Sequence, residues 1–273
     1  MKKIWGQMLV KNEDKFIYFA ILSVIEYIDK LIIYDTGSTD KTIRIINFLN
    51  EKYPSKILFE KYKNVDPEGV TKLRQRMLDE TKSDWFLLVD GDEVWWESSI
   101  KAAVNKINNQ GEYLYALVNP VINLVGDIYH YQEEEAGRYE ILGKKGHFNL
   151  RFINRKIDGL HLENSYPMEG YYDNENKLLQ TINDKLLFVD APVLHFSHLN
   201  RSSALNSSKK TLNRQKYKYE LGKKFKTGFK YPEVFYKDRP AFIDNPWVSL
   251  SSYYKFRAFL ETPIRKLKRE LIR

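Results

Sequence analysis

The run Trp85-Phe86-Leu87-Leu88-Val89-Asp90-Gly91-Asp92-Glu93 decides how this chain is read. Four consecutive apolar residues, Phe86 to Val89, have the length and composition of a buried strand. That strand ends abruptly in carboxylates. In an open α/β sheet, ligands sit outside the carboxyl ends of the strands. Two carboxylates one residue apart at such an end can hold a divalent cation, which in turn holds phosphate oxygens. The Asp-x-Asp pattern itself is common: with 16 Asp in 273 residues, roughly one such pair is expected by chance. Its weight comes from its place, after an apolar run and before a helix-like segment.

Outward from this strand, the first half alternates strand and helix. Met8 to Val10 ends a first strand, and Ile17, Ile21, Val24, Ile25 and Ile28 follow helical spacing. Leu31 to Tyr34 reads as a second buried strand. Ser38-Thr39-Asp40 supplies helix-capping chemistry, and Thr42, Ile45, Ile46, Leu49 and Tyr53 form the next apolar stripe. Ile57 to Phe59 is a third strand, and Val70, Leu73, Met77 and Leu78 mark a third helix. The βαβαβαβ order predicts parallel strands joined by right-handed crossovers. Beyond Asp92 the pattern changes. Tyr113 to Leu124 predicts one or two strands broken at Pro120, and 125–146 predicts a long polar loop or lid. Leu150 to Ile153 and Lys185 to Phe196 predict further strands, and Leu205 to Leu221 a basic helix.

Four polar loops fall at the carboxyl ends of consecutive strands: Lys11-Asn12-Glu13, then Asp35 to Asp40, then Lys61 to Gly69 leading into Arg74, then Asp90 to Glu93. A tight turn at glycine and helix capping account for Gly37 to Asp40. They leave Asp35, at the strand end, unexplained. No glycine-rich phosphate loop is present, so phosphates would be held by a metal and side chains.

These residues resemble a family. Val10-Lys11-Asn12-Glu13, Tyr34-Asp35-Thr36-Gly37-Ser38-Thr39-Asp40-Lys41-Thr42 and Asp84 to Glu93 are similar, in order, to the motifs of glycosyltransferase family 2. The closest branch is similar to lipopolysaccharide-core glycosyltransferases, whose second strand ends in Asp-Thr-Gly-Ser-Thr-Asp. The resemblance covers about the first 100 residues, where three ordered motifs make it specific. It implies a GT-A fold: a Rossmann-like, mostly parallel sheet with helices on both faces. It also implies an inverting enzyme that takes sugar from a nucleotide-diphosphate donor, with Mn2+ or Mg2+ as cofactor. The implied donor-binding residues are Lys11, Asn12, Glu13, Asp35, Thr36, Arg74, Asp90 and Gly91, and the implied metal ligands are Asp92 and Asp90. Where the branch has Arg-Asn before the fourth strand, this chain has Arg74-Gln75. Where many members read the nucleobase with a second Asp, it has Thr36, which leaves uridine and guanosine both open.

The resemblance also implies a carboxylate base in the second half. His147-Phe148-Asn149-Leu150-Arg151-Phe152-Ile153-Asn154-Arg155 resembles the branch's Arg-Leu-Phe-Arg strand, which a His-Glu pair usually follows. The candidates here are Glu163, in His161-Leu162-Glu163, and Glu169, in Tyr166-Pro167-Met168-Glu169, with Glu169 preferred. His195 and His198, at the end of a late strand, resemble the histidine that joins the metal or diphosphate in GT-A enzymes. A histidine beside a strand is also a common structural residue.

Composition bounds the rest. The absence of cysteine rules out disulfides and thiolate metal sites. The longest apolar run, Phe16 to Ile25, is too short to span a bilayer. The start of the chain reads directly into a strand rather than a signal peptide, which points to a cytoplasmic protein. The net charge of +8 lies mostly in the second half, with nine Lys/Arg against one Glu from Lys209 to Lys230 and seven against two from Lys255 to Arg273. Basic clusters attract anionic partners, although a solvated lysine face has the same composition. Aromatics from Trp247 to Leu260 and helical spacing of Ile264, Leu267, Leu271 and Ile272 suggest a helix lying on the inner face of a membrane. The expected organisation is a transferase domain over 1–200 (donor half 1–95, acceptor half 96–200) with a basic helical extension over 201–273. The expected partners are the donor, a glycan or lipid-linked acceptor of cell-envelope polysaccharide assembly and an anionic membrane surface, rather than nucleic acid.

Two other classes compete. A nucleotidyltransferase making the nucleotide sugar also uses carboxylates on such a sheet, but it would open with a glycine-rich turn where this chain has Lys11-Asn12-Glu13. A basic scaffold binding glycan or nucleic acid would make the Asp pair incidental.

Overall fold

The computed structural model describes residues 1–204 and 219–271. Four strands alternate with three helices along the first third: β1 (Ile4–Val10), α1 (Ile17–Val24), β2 (Lys30–Asp35), α2 (Thr42–Lys52), β3 (Ile57–Lys61), α3 (Pro67–Glu80) and β4 (Trp85–Leu88). All pairings among these strands are parallel, in the order β4-β1-β2-β3. The alternation of side chains along a strand sorts them onto two faces. Leu31 and Ile33 of β2 join Ile17, Ile21, Ile45 and Leu49 on one face, while Ile32 and Tyr34 meet Met77 of α3 on the other. The sheet is therefore covered on both sides, as parallel sheets require. Asp66 caps α3 by accepting from the Gly69 N–H at 2.7 Å, with Pro67 at the first helical position.

Two differences from expectation follow in the second half. The residues after Asp92 form a short strand, β5 (Glu93–Trp95), before α4 (Glu97–Gln110) begins. Pro120 does not break its strand: β6 (Ala116–Val125) runs straight through it. The reason lies in the partners. On one side, β13 (Leu186–Phe188) pairs with β6 at 116–118 and β14 (Val193–His198) pairs with it from Val121 onward. The Val121 N–H points the other way, to the His147 carbonyl at 2.8 Å. The missing Pro120 N–H thus faces the gap between β13 and β14, where no ladder bond is lost.

Segment 125–146 is not one loop. It folds into β7 (His130–Tyr131), a 3-10 turn at Glu134–Ala136, and a hairpin of β8 (Tyr139–Ile141) and β9 (Lys144–Gly146). β10 (Phe148–Asn154) then inserts antiparallel between β4 and β6. A small ribbon of β11 (His161–Glu163) and β12 (Gly170–Tyr172) packs beside α3, and β15 (Lys223–Lys224) pairs with β7.

The expected basic helix over 205–221 falls largely on residues outside those described. The C-terminal helix, α5 (Ser252–Leu271), begins well before Pro263 and carries it in its interior. Its start is docked on the β6–β7 turn. Gly126 has φ +80°, and a Cβ there would lie 2.3 Å from Leu250 and 2.7 Å from the Tyr254 ring, so only glycine admits this approach. The Leu250 N–H donates to Asp127 at 2.9 Å. Tyr254, Ala258 and Thr262 form the buried face.

Candidate active site

The site assembles where β1, β2 and β4 end. After β1, Asn12 adopts the left-handed region (φ 56°), which Asn tolerates better than most residues. Its Oδ1 accepts from the Thr39 N–H at 2.7 Å, and its N–H donates to Ser38 Oγ at 2.8 Å. The Thr36 hydroxyl donates to the Val10 carbonyl at 3.0 Å. Two of the expected donor-binding side chains therefore knit the first two loops together. Lys11 sits half-buried beside them.

Asp35 is 1% exposed. One carboxylate oxygen accepts from the Gly37 and Ser38 N–H groups, both at 2.9 Å, so the turn does explain half of this residue. The other oxygen, Oδ2, is buried with no hydrogen-bond partner. A buried lone pair left open in this way is costly unless something completes it.

After β4, Gly91 lets the chain pass closely over Glu13: a Cβ there would lie 3.0 Å from Glu13 Cγ. Asp92 is 3% exposed and Glu93 fully buried. Their partners come from distant sequence. β5 pairs antiparallel with β14, placing His195 opposite Glu93, and the Phe196 N–H donates to the Asp92 carbonyl at 2.9 Å. His195 Nε2 then lies 3.2 Å from Asp92 Oδ2, and its Nδ1 3.7 Å from Glu93. Arg201 Nη1 lies 2.6 Å from the same Asp92 oxygen and 3.4 Å from Glu13. Arg151, from β10, lies 3.0 Å from Asp90 and also bonds Glu93. His198 lies beyond a register shift in β14, opposite Val125.

The charges nearly balance. Burial pushes the Asp92 carboxyl up, but Arg201 and His195 overcome it and hold the group well below the usual range. Asp90 is likewise lowered, Arg151 and Arg74 outweighing burial. Burial opposes a charge on His195, and Asp92 and Glu93 outweigh it, so its pKa is raised. Glu93 goes the other way: burial pushes it up to about 7 against the pull of Arg151 and His195.

A second group lies beside Asp90. Arg74, on α3, and Glu169, just before β12, approach to 3.4 Å, and both are largely buried. Tyr171 shares their environment: burial raises its hydroxyl pKa, Arg74 lowers it, and Glu169 and Asp90 raise it further. Arg74 Nε, Glu169 Oε2 and the Tyr171 hydroxyl are buried without hydrogen-bond partners. Glu163 stands apart, about half exposed and 3.3 Å from His161 Nε2. Of the two base candidates, Glu169 is the one placed in the electrostatic field of Asp90.

Arg201, Arg151 as a charge partner, and Tyr171 were not singled out from sequence. Arginines and tyrosines are frequent in this chain, and nothing in the local pattern marks these three.

For a metal, the donor set is suitable but incomplete. Mg2+ and Mn2+ are commonly held by one or two carboxylates with substrate phosphates completing the shell, and Asp92, Asp90 and His195 offer such a start. Among the described residues, no group of three or more His, Cys, Asp or Glu is arranged to hold a metal unaided.

A two-faced α/β sheet with carboxylates clustered at its strand ends is an architecture of nucleotide-binding enzymes, and the sequence family narrows it. The family model described as glycosyl transferase family 2 matches residues 8–163, more than half of the chain. The chain belongs to glycosyltransferase family 2, and its fold is α/β of GT-A type. Membership of that family counts against the nucleotidyltransferase and scaffold readings. No curated protein matches. Among solved structures, glucosyl-3-phosphoglycerate synthase from Mycobacterium tuberculosis, in complex with Mn2+, UDP and phosphoglyceric acid, is 19% identical over 45% of this chain and 43% of that one, TM-score 0.33. The complex of that enzyme with Mn2+, UDP and glucosyl-3-phosphoglycerate is 18% identical over 71% and 72%, TM-score 0.44. TarS from S. aureus is 14% identical over 72% of this chain and 37% of that one, TM-score 0.45. The chain thus spans less than half of the first and the last of these.

Proposed function

We propose that this glycosyltransferase is metal-dependent and inverting, and moves a sugar from a nucleoside diphosphate to a hydroxyl of a glycan or lipid-linked acceptor. The observation that carries the reading is the pairing of Asp90 and Asp92 at one strand end with Glu169 beside Arg74 next to them. Asp92, with Asp90 and His195, would hold Mn2+ or Mg2+, which supplies charge neutralisation for the departing diphosphate when bound. The open oxygen of Asp35 is suited to an N–H or O–H of the nucleoside. Glu13 and Gly91 shape the floor between the two halves, and Lys11, Asn12 and Thr36 hold the loops against which the nucleotide rests. Glu169 removes the proton from the acceptor hydroxyl as it attacks the anomeric carbon. Arg74, 3.4 Å away, orients that carboxylate. Glu163 is the alternative base, and His198 a more remote candidate for the diphosphate.

The measurement that tests this is thermal shift with UDP- and GDP-sugars, with and without Mn2+. A nucleotide that binds the native state alone raises the melting temperature, and the stabilising base names the donor class. Absence of any Mn2+-dependent nucleotide stabilisation would remove the metal from the reading.

The proposed organisation is a transferase unit over 1–200 and a basic extension over 201–273, with lipopolysaccharide-core enzymes as the nearest branch. α5 supports a membrane-facing role through the way its faces are used. Arg265, Arg269 and Lys266 turn inward, to the Tyr219 carbonyl, Glu220 and Glu133. Phe256, Phe259, Leu260, Ile264, Leu267 and Leu271 are exposed. An apolar stripe outside with Lys255 and Lys268 beside it fits an anionic lipid surface. No helix among the described residues is long and apolar enough to cross a membrane. Wild-type protein should sediment with anionic but not neutral vesicles, and Phe259→Asp with Ile264→Asp should lose this. Equal sedimentation of both forms would refute the membrane role.

A further inference from the structure

Asp92, the residue offered above to a divalent cation, already has a cation on it. Arg201 Nη1 lies 2.6 Å from Asp92 Oδ2 and 3.4 Å from Glu13 Oε1, and the Arg201 side chain is itself mostly buried. His195 Nε2 approaches the same oxygen at 3.2 Å. A metal ion on that carboxylate would compete with the guanidinium, because two positive groups so close in a buried site repel strongly.

The backbone around Arg201 is also fastened to the loops that would receive a nucleotide. The Lys15 N–H donates to the Arg201 carbonyl at 3.2 Å. The Ser202 hydroxyl donates to Asp40 at 2.6 Å. The Ser203 N–H donates to Asp14 at 2.8 Å, and the Ser203 hydroxyl bonds the same carboxylate. Residues 201–203 thus form a strap laid over the ends of β1 and β2, with its arginine inserted beside the carboxylates.

We propose that Arg201 is a resident counter-cation: it neutralises Asp92 and competes with Mn2+ or Mg2+ for that carboxylate, which couples metal loading to release of the strap. This rests on the reading of Asp92 as a metal ligand. The coupling has a direction. A displaced guanidinium needs a new anionic partner, and diphosphate oxygens are suited to it. Nucleotide therefore lowers the cost of moving Arg201 and raises metal affinity, and by linkage metal raises nucleotide affinity equally.

The test is titration of Mn2+ alone into wild-type protein, Arg201→Ala, Arg201→Lys and the double variant Ser202→Ala/Ser203→Ala, reading free Mn2+ by its paramagnetic resonance signal. Each titration is repeated with UDP and with GDP, and folding is checked by thermal melting. Without nucleotide, Arg201→Ala should bind Mn2+ about tenfold tighter or more, within the usual span of coupling factors. Arg201→Lys should fall between. The double serine variant, which loosens the strap and leaves Arg201 in place, should shift the same way by less, and it carries the test if Arg201→Ala does not fold. Nucleotide should raise Mn2+ affinity more in wild type than in Arg201→Ala. Equal or weaker Mn2+ binding by folded Arg201→Ala overturns the counter-cation while leaving Asp92 a ligand. No Mn2+ binding by any form, even with nucleotide, overturns both.

Discussion

Two polar clusters meet at Asp90, and they are built in opposite ways. Around Asp92 each carboxylate has a cation against it, Arg201 and His195 on Asp92 and Arg151 on Asp90 and Glu93, although Glu93 Oε2 and Arg151 Nε are buried without hydrogen-bond partners. Around Glu169 the groups lie close but incompletely paired, with Arg74 Nε, Glu169 Oε2 and the Tyr171 hydroxyl all buried and without hydrogen bonds. Leaving a buried polar atom unsatisfied costs about 1–3 kcal/mol. On the proposed reading, the Asp92 cluster, saturated in charge though not in hydrogen bonds, has its own cations standing in for an incoming one. The Glu169 cluster, deficient in close ion pairs, would be completed by an incoming hydroxyl.

That contrast can be broken most directly at Asp92. Asp92→Asn removes the carboxylate proposed to hold the metal, and turnover should fall on the order of 10³-fold or more, as expected for several kcal/mol of charge stabilisation. Turnover near wild type, insensitive to chelator, would mean that the saturated cluster is only structural.

Glu169→Gln tests the deficient side. It should lower turnover by about 10²–10⁴-fold, the usual scale for a general base, while donor affinity stays nearly constant. Glu163→Gln, at an outlying and half-exposed position, should change turnover far less. A reversal of that order would move the base to Glu163 and leave Glu169 as a partner for Arg74.

Tyr171→Phe sharpens the comparison on a smaller scale. One hydrogen bond to the acceptor contributes about 0.5–1.5 kcal/mol, so the acceptor KM should rise by about 2–10-fold. Because the hydroxyl has no partner in the fold, the melting temperature should not fall. A clear loss of stability would show that the hydroxyl serves the protein rather than the substrate.

The last comparison concerns stability against pH rather than turnover. Glu93 has a folded pKa of about 7 against an ordinary 4.5, because burial disfavours its charge. Between those values the folded state keeps a proton that the unfolded chain has released. Stability is therefore full below about pH 4.5 and falls as pH rises toward 7, by at most about 1.4 kcal/mol per unit for each proton. His195, raised above its ordinary 6.5, adds a loss of the same sign above that pH. Asp92, lowered from 3.8, acts in the opposite sense, and only in more acidic solution. The melting temperature should thus decline from pH 5 to pH 8, and Glu93→Gln should flatten the slope over the first half of that range. A slope unchanged by the substitution would place the proton elsewhere.

What could be read from the chain alone depended on how local the cause was. The strands and helices to Asp92 were legible because period-2 and period-3.6 burial is written in consecutive residues, and the strand-end carboxylates were legible because each sits next to its apolar run. Pro120 shows the limit. A proline normally interrupts a strand, and only the gap between β13 and β14 makes it tolerable. The segment 125–146 shows it again, since its hairpin and short strands are too brief to impose a pattern. Most of the site's electrostatics lay beyond the local view altogether. Arg201 is 109 residues from Asp92, and Arg151 is 58 from Glu93. His195 reaches Asp92 only because β5 happens to pair with β14. Sequence determined which residues could bind a nucleotide sugar and where the sheet would present them. The tertiary structure decided which charges face one another, which are satisfied and which are left open, because those relations depend on distance in space and on burial rather than on spacing along the chain.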